Sequence, residues 1–129
     1  MRVVSVVVLV AMIASFLGHR AKMGTKLEIT SKESVNYSGS ATESEAKSLG
    51  ELLKTIGFFD NTSEKDVLLH KESNAVTEVS FVVKNGWDDA EIVSAFTTIG
   101  QEVAKTMGKP LVVRMLDEQL NKKKEIRID

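Results

Sequence analysis

The chain contains no cysteine, one proline, one tryptophan, one tyrosine and two histidines among 129 residues. Without cysteine there are no disulfides, no thiolate metal sites, no cysteine nucleophile and no acylated cysteine, so a lipoprotein is excluded. Two histidines cannot supply a histidine-rich metal cluster. Aromatics make up 5% of the residues, which leaves few platforms for stacking bases or sugars. A basic excess is missing as well: Lys and Arg total 17 against 18 Asp and Glu, for a net charge of −1. Phosphate neutralisation needs a clear surplus of cations, so nucleic acid is not an expected partner.

The near-neutral average hides an asymmetry. Residues 1–22 hold Arg2, Arg20 and Lys22 and no acid, leaving 14 basic against 18 acidic groups and a net charge of −4 in residues 23–129. The first segment also holds the one long apolar run, Val3–Leu17, which is uncharged throughout and interrupted only by Ser5 and Ser15. As a helix, 15 residues rise about 22 Å, somewhat short of a hydrocarbon core of about 30 Å. Gly18 and the flanking residues extend it, with Arg2 and Arg20 reaching opposite interfaces.

This pattern makes residues 1–22 a membrane anchor or a signal segment, with residues 3–18 in the bilayer. The short positive start suits a cleaved signal peptide, whereas the lack of an Ala-x-Ala site after the run suits an uncleaved, single-pass anchor. A buried core helix would carry polar residues at helical spacing, and the run has almost none. Basic residues after the run (Arg20, Lys22, Lys26) lean the following domain toward the cytoplasmic side. Cleavage would make it periplasmic or secreted instead.

Residues 23–129 read as a single α+β domain. Lys26–Thr30 and Ser34–Ser38 alternate apolar and polar positions, the mark of strands with one buried face. Thr42-Glu-Ser-Glu45 has capping-box spacing, followed by Ala46, Leu49, Leu52, Leu53 and Ile56 at helical spacing and Gly57 as a stop. The grammar then repeats. Asp66–Lys71 and Val76–Lys84 form the next strand pair, and Asp88-Asp-Ala-Glu91 opens a helix with Ile92, Phe96, Ile99, Val103 and Met107 on one stripe. Leu111–Leu116 and Glu125–Ile128 give a final pair. Lys-Glu-Ser occurs at 32–34 and 71–73, and Leu49-Gly50 aligns with Ile99-Gly100. A duplicated ββα unit plus a last hairpin is the expectation: an antiparallel sheet of about six strands, two helices on one face, and an apolar N-terminal helix ahead of it. A glycine inside a helix costs about 1 kcal/mol relative to alanine, so Gly50 and Gly100 point to close packing.

Thr42–Gly50, Ile56–Phe59, Asp66–Leu69, Val79–Lys84, Trp87–Asp89 and Lys109–Arg114 together resemble an uncharacterised bacterial domain that follows a membrane segment. The resemblance covers residues 24–128 and implies membrane association, without an activity or catalytic residues.

Chemistry-bearing groups are sparse. His70 lies on a strand facing away from Val67 and Leu69, where a solvated or hydrogen-bonded ring is expected. Asp88 and Asp89 beside Trp87 suit helix capping better than a metal or sugar site. No phosphate loop, serine elbow, zinc motif or calcium loop is present, so no catalytic residue, cofactor or metal is assigned. Lys122–Lys124 falls near the last turn, where it is solvated or meets anionic headgroups. The sheet face opposite the helices would carry Glu28, Thr30, Asn36, Ser38, Glu78, Ser80, Lys84 and Arg114, interrupted by Val82, Val112 and Leu116. Those three mark a possible contact face for a protein partner or a second copy of the chain. The expected role is a membrane-tethered, non-catalytic binding or assembly module, or, after cleavage, a secreted or periplasmic ligand-binding domain.

Overall fold

The computed structural model describes residues 24–72 and 76–129. The N-terminal apolar segment, anchor or signal, lies outside the described residues, as does Ser73 of the second Lys-Glu-Ser repeat. Eight elements follow in order: β1 (Thr25–Glu28), β2 (Glu33–Gly39), α1 (Glu43–Thr55), β3 (Lys65–Lys71), β4 (Thr77–Val82), α2 (Ala90–Met107), β5 (Leu111–Leu116) and β6 (Lys122–Ile128). Among the described residues, no helix is long and apolar enough to cross a membrane.

The strands form one six-stranded sheet in sequence order, β1 to β6. It is mixed, which corrects the expectation of an antiparallel sheet. β1–β2, β3–β4 and β5–β6 are antiparallel, whereas β2–β3 and β4–β5 are parallel. The reason is the helices: each returns the chain to the starting end of the strand it left, so the next strand runs the same way. β3 and β4 run oppositely, so the two crossovers, and hence α1 and α2, run oppositely too. Both crossovers step the same way across the sheet, and both helices share one core on one face. The two βαβ units are therefore of opposite hand, and one is the rare left-handed form.

Alternation places Val35, Val67, Phe81 and Met115 in one row beneath the helices, with Tyr37, Leu69, Val79 and Val113 in the next. Ala46, Leu49 and Leu53 of α1 and Phe96, Ile99 and Val103 of α2 close this core. Phe58, Phe81 and Phe96 meet over the central strands, with ring centroids 5.1–6.3 Å apart. Such edge-on and tilted contacts add to the stabilisation from area burial.

The capping box of α1 forms as its spacing requires: Glu45 N–H donates to Thr42 Oγ1 at 3.1 Å, and Thr42 N–H donates to Glu45 Oε1 at 2.9 Å. In α2 the cap is one residue later than the Asp88-to-Glu91 spacing predicts. Asp89 accepts from Glu91 and Ile92 N–H, and Asp88 is left exposed. Gly50 and Gly100 are both buried against the sheet, where a β-carbon would meet Ile29 and Val113 respectively. The two Lys-Glu-Ser copies are not equivalent in place: Glu33 opens β2 and is buried, whereas Glu72 follows β3 and is exposed.

Candidate binding face

The face opposite the helices follows from the strand register. One row runs Ser38, His70 and Glu78 to Val112 and Arg127; the next runs Lys26, Asn36, Leu68 and Ser80 to Arg114 and Glu125. Val82 pairs with Leu116 nearby. Thr30 and Lys84 lie beyond the strand ends: Thr30 instead accepts from Glu33 N–H in the β1–β2 turn.

A groove of about 480 Å³ crosses this face, lined by Ser38, Leu68, His70, Glu78, Ser80, Arg114, Leu116, Leu120 and Lys122. Its wall is apolar along Leu68, Leu116 and Leu120. Its charges are paired. Arg114 donates to both carboxylate oxygens of Glu78, at 2.9 and 3.3 Å, and its Nε donates to Glu125 at 3.2 Å. Lys122 Nζ reaches the same Glu125 oxygen at 3.0 Å. The Lys122 hydrogen bond, reinforced by Arg114, holds the Glu125 carboxyl below its usual range.

His70 and Ser38 are register partners on β3 and β2, with Ser38 Oγ 2.8 Å from His70 Nδ1. The other ring nitrogen lies 2.6 Å from Glu72 Oε2. The ring is thus hydrogen-bonded on the outer face. Serine, imidazole and carboxylate in that order also occur in nucleophilic hydrolases, where donors must converge on the developing oxyanion. Here Ser40 N–H is spent on Lys71 O, and the Arg114 donors are spent on Glu78 and Glu125. The chain of groups therefore has a nucleophile and a base but no oxyanion donor assembled beside them among the described residues.

Val82, Val112 and Leu116 all lie on the outer face, on adjacent β4 and β5, as alternation requires. They are not an exposed patch. Their relative exposures are 0%, 3% and 7%. Leu68 and Leu120 pack on Val82, and Leu120 is carried there by the β5–β6 connection. Asn36 is buried too, and neither its carboxamide oxygen nor its nitrogen finds a partner among the described residues.

One end of the sheet carries a cluster that the sequence reading missed. Lys65 is fully buried and donates to Glu33 at 2.6 Å and to Asp60 at 2.9 Å. Asp60 and Asn61 N–H also donate to the Glu33 carboxylate, at 3.0 and 2.9 Å. Ser34 donates to Asp66 beside it. Burial raises the Asp60 carboxyl, but hydrogen bonds from Thr62 and Lys65 outweigh it and hold it below its usual range. Lys32-Glu33-Ser34 stood out in the sequence only as a repeated tripeptide, because the partners of Glu33 and Ser34 are 27–32 positions away.

Trp87 packs on the core edge with Lys123 Nζ 5.0 Å from its ring centre, while Lys124 approaches Asp88 only to 4.0 Å. No group of three or more metal-ligating side chains occurs among the described residues. A family model described as a family N-terminal domain matches residues 26–127. No curated protein and no solved structure matches the chain.

Proposed function

The chain belongs to the AF_1994_N family of N-terminal domains, and from its outer sheet face we propose that it is a non-catalytic binding or assembly module held at a membrane by residues 3–18. The observation that carries the reading is the groove: an apolar wall of Leu68, Leu116 and Leu120 beside charges already neutralised in pairs. Paired charges of this kind fix register and exclude wrong partners, whereas acid–base chemistry needs groups left free to exchange protons. The partner is a polypeptide that sets apolar side chains along the leucines and polar groups along Ser38, Ser80 and His70. Val82 and Val112, buried beside Leu116, support this surface from beneath.

The test has two arms. The full chain should co-float with phospholipid vesicles and keep its uncleaved mass, and Val8→Arg should abolish flotation. A cleaved mass would favour the secreted or periplasmic alternative. A photocrosslinker at Leu120, in cells, should join the chain to one polypeptide of defined mass, and the same group at Lys47 on α1 should not. Equal products from both positions would remove the groove from the reading.

A further inference from the structure

Independently of the groove and of the tether, we infer that β6 is an interface between copies of this chain. It pairs antiparallel with β6 of a second copy about a twofold axis at Ile126, joining two six-stranded sheets into one continuous sheet.

β6 is the last strand of the sheet, and among the described residues no strand lies beyond it. It offers seven residues, against four on the other edge strand, β1. Alternation turns Lys124, Ile126 and Ile128 toward the helix side, half-buried, and Glu125 and Arg127 toward the outer face, exposed. A twofold axis at Ile126 sets Ile126 against Ile126, Lys124 against Ile128, and Glu125 against Arg127 on both sides of the axis. Every side chain then meets one on its own face of the sheet. The charges select this register. An axis at Glu125 would oppose Glu125 to Glu125 and Lys123 to Arg127, and an axis at Arg127 would oppose Arg127 to Arg127 and Glu125 to Asp129. Like charges directly opposite destabilise a strand pair, whereas opposite charges support it.

The groups this pairing needs are unspent. Both bonds received by Glu125, from Arg114 and Lys122, fall on Oε1, and Oε2 takes none among the described residues. Arg127 donates to Asp129 through Nε, which leaves both Nη atoms for the facing Glu125. Lysines commonly guard an exposed edge. Here Lys122 is held by Glu125 and Lys123 lies over the Trp87 ring, both ahead of the paired stretch 124–128. The axis stands perpendicular to the sheet, so it keeps the helices of both copies on one side and sets the two outer faces side by side, a bivalent surface. Pairing over 124–128 is small beside a standard interface of about 1,600 Å², so the association is reversible.

The cysteine-free chain allows a register-specific test. On the axis, Ile126 Cα faces its own counterpart at about 4.5–5.5 Å, within disulfide reach. Purified full chains carrying Ile126→Cys, oxidised at submillimolar concentration, should form a disulfide-linked dimer. Ile128→Cys is also half-buried but stands about 14 Å from its counterpart across the axis, and should give about tenfold less dimer. So should Leu27→Cys on β1. Adding Arg127→Glu to Ile126→Cys opposes Glu to Glu and should cut the yield about tenfold. Mixing that chain with one carrying Ile126→Cys and Glu125→Arg should restore dimer between the two, because each then faces the opposite sign on the other. A yield at Ile126→Cys no greater than at Ile128→Cys or Leu27→Cys would overturn the inference. So would indifference to Arg127→Glu, or a mixture of folded variants that stays monomeric. Should a charge variant melt early, the cysteine series alone decides. Flotation and the Leu120 crosslink read the tether and the groove, so their results stand apart from this one.

Discussion

A β-carbon placed on Gly100 would stand 2.7 Å from Val113 Cγ2, a methyl buried in the sheet. Val113 is β-branched and held between neighbouring strands, so it has little freedom to move aside. Gly50 faces the Ile29 side chain, which follows edge strand β1 and is only half-buried. Gly100→Ala should therefore destabilise the domain by roughly 1–3 kcal/mol through overpacking. Gly50→Ala should destabilise as well, because a β-carbon there would overlap both Cγ1 and Cδ1 of Ile29, which is β-branched like Val113. Denaturant melts of the two variants check this, and stabilisation by Gly100→Ala would contradict the close approach.

Lys65 and Glu33 form a pair whose worth lies in not being broken. Lys65→Met leaves the Glu33 carboxylate buried without its cation and should cost about 3–5 kcal/mol. Adding Glu33→Gln removes the stranded charge while keeping an acceptor for the Asp60 and Asn61 amides. The double variant should then be more stable than Lys65→Met alone, as read from urea midpoints.

Acid should weaken the fold through carboxylates held low in the native state. Glu45 is lowered by its hydrogen bond from Lys71, then by the Thr42 amide; Asp60 and Glu125 are lowered as well. A depressed native pKa contributes stability above the unfolded value and loses it as pH falls through the native one. The melting temperature should thus hold from pH 7 to about 5 and fall below the usual glutamate value of 4.5. Lys71→Met should flatten the part of that fall that belongs to Glu45.

Val82→Asp would put an unpaired carboxylate among Leu68 and Leu120, and should destabilise by more than about 3 kcal/mol. Lost partner binding in that variant would report unfolding. Leu120→Ser, at a half-buried position on the groove wall, separates the two: binding should drop while the melt shifts far less.

Ser38 should not be acylated. With no oxyanion donors converging beside it among the described residues, an active-site fluorophosphonate should leave the intact mass of the chain unchanged. A Ser38 adduct that disappears in His70→Ala would instead establish nucleophilic chemistry.

The sequence by itself determined the local features. Alternation assigned Val35, Tyr37, Val67 and Leu69 to the core and Ser38 and His70 to the other face. Helical spacing found both apolar stripes, and Thr42 with Glu45 announced a cap that the structure closes. Each depends on residues within a turn or a strand of one another, where period and hydrogen-bond reach are set by backbone geometry. Pairing across a crossover is different. Whether β2 meets β3 parallel or antiparallel depends on where α1 returns the chain, and no short-range pattern encodes that. Hence the mixed sheet, the Ser38–His70 contact and the Lys65–Glu33 pair emerged only in three dimensions, each joining residues 32 positions apart. The burial of Val82, Val112 and Leu116 was likewise a tertiary outcome: alternation fixes which way a side chain points, and only packing decides whether water reaches it.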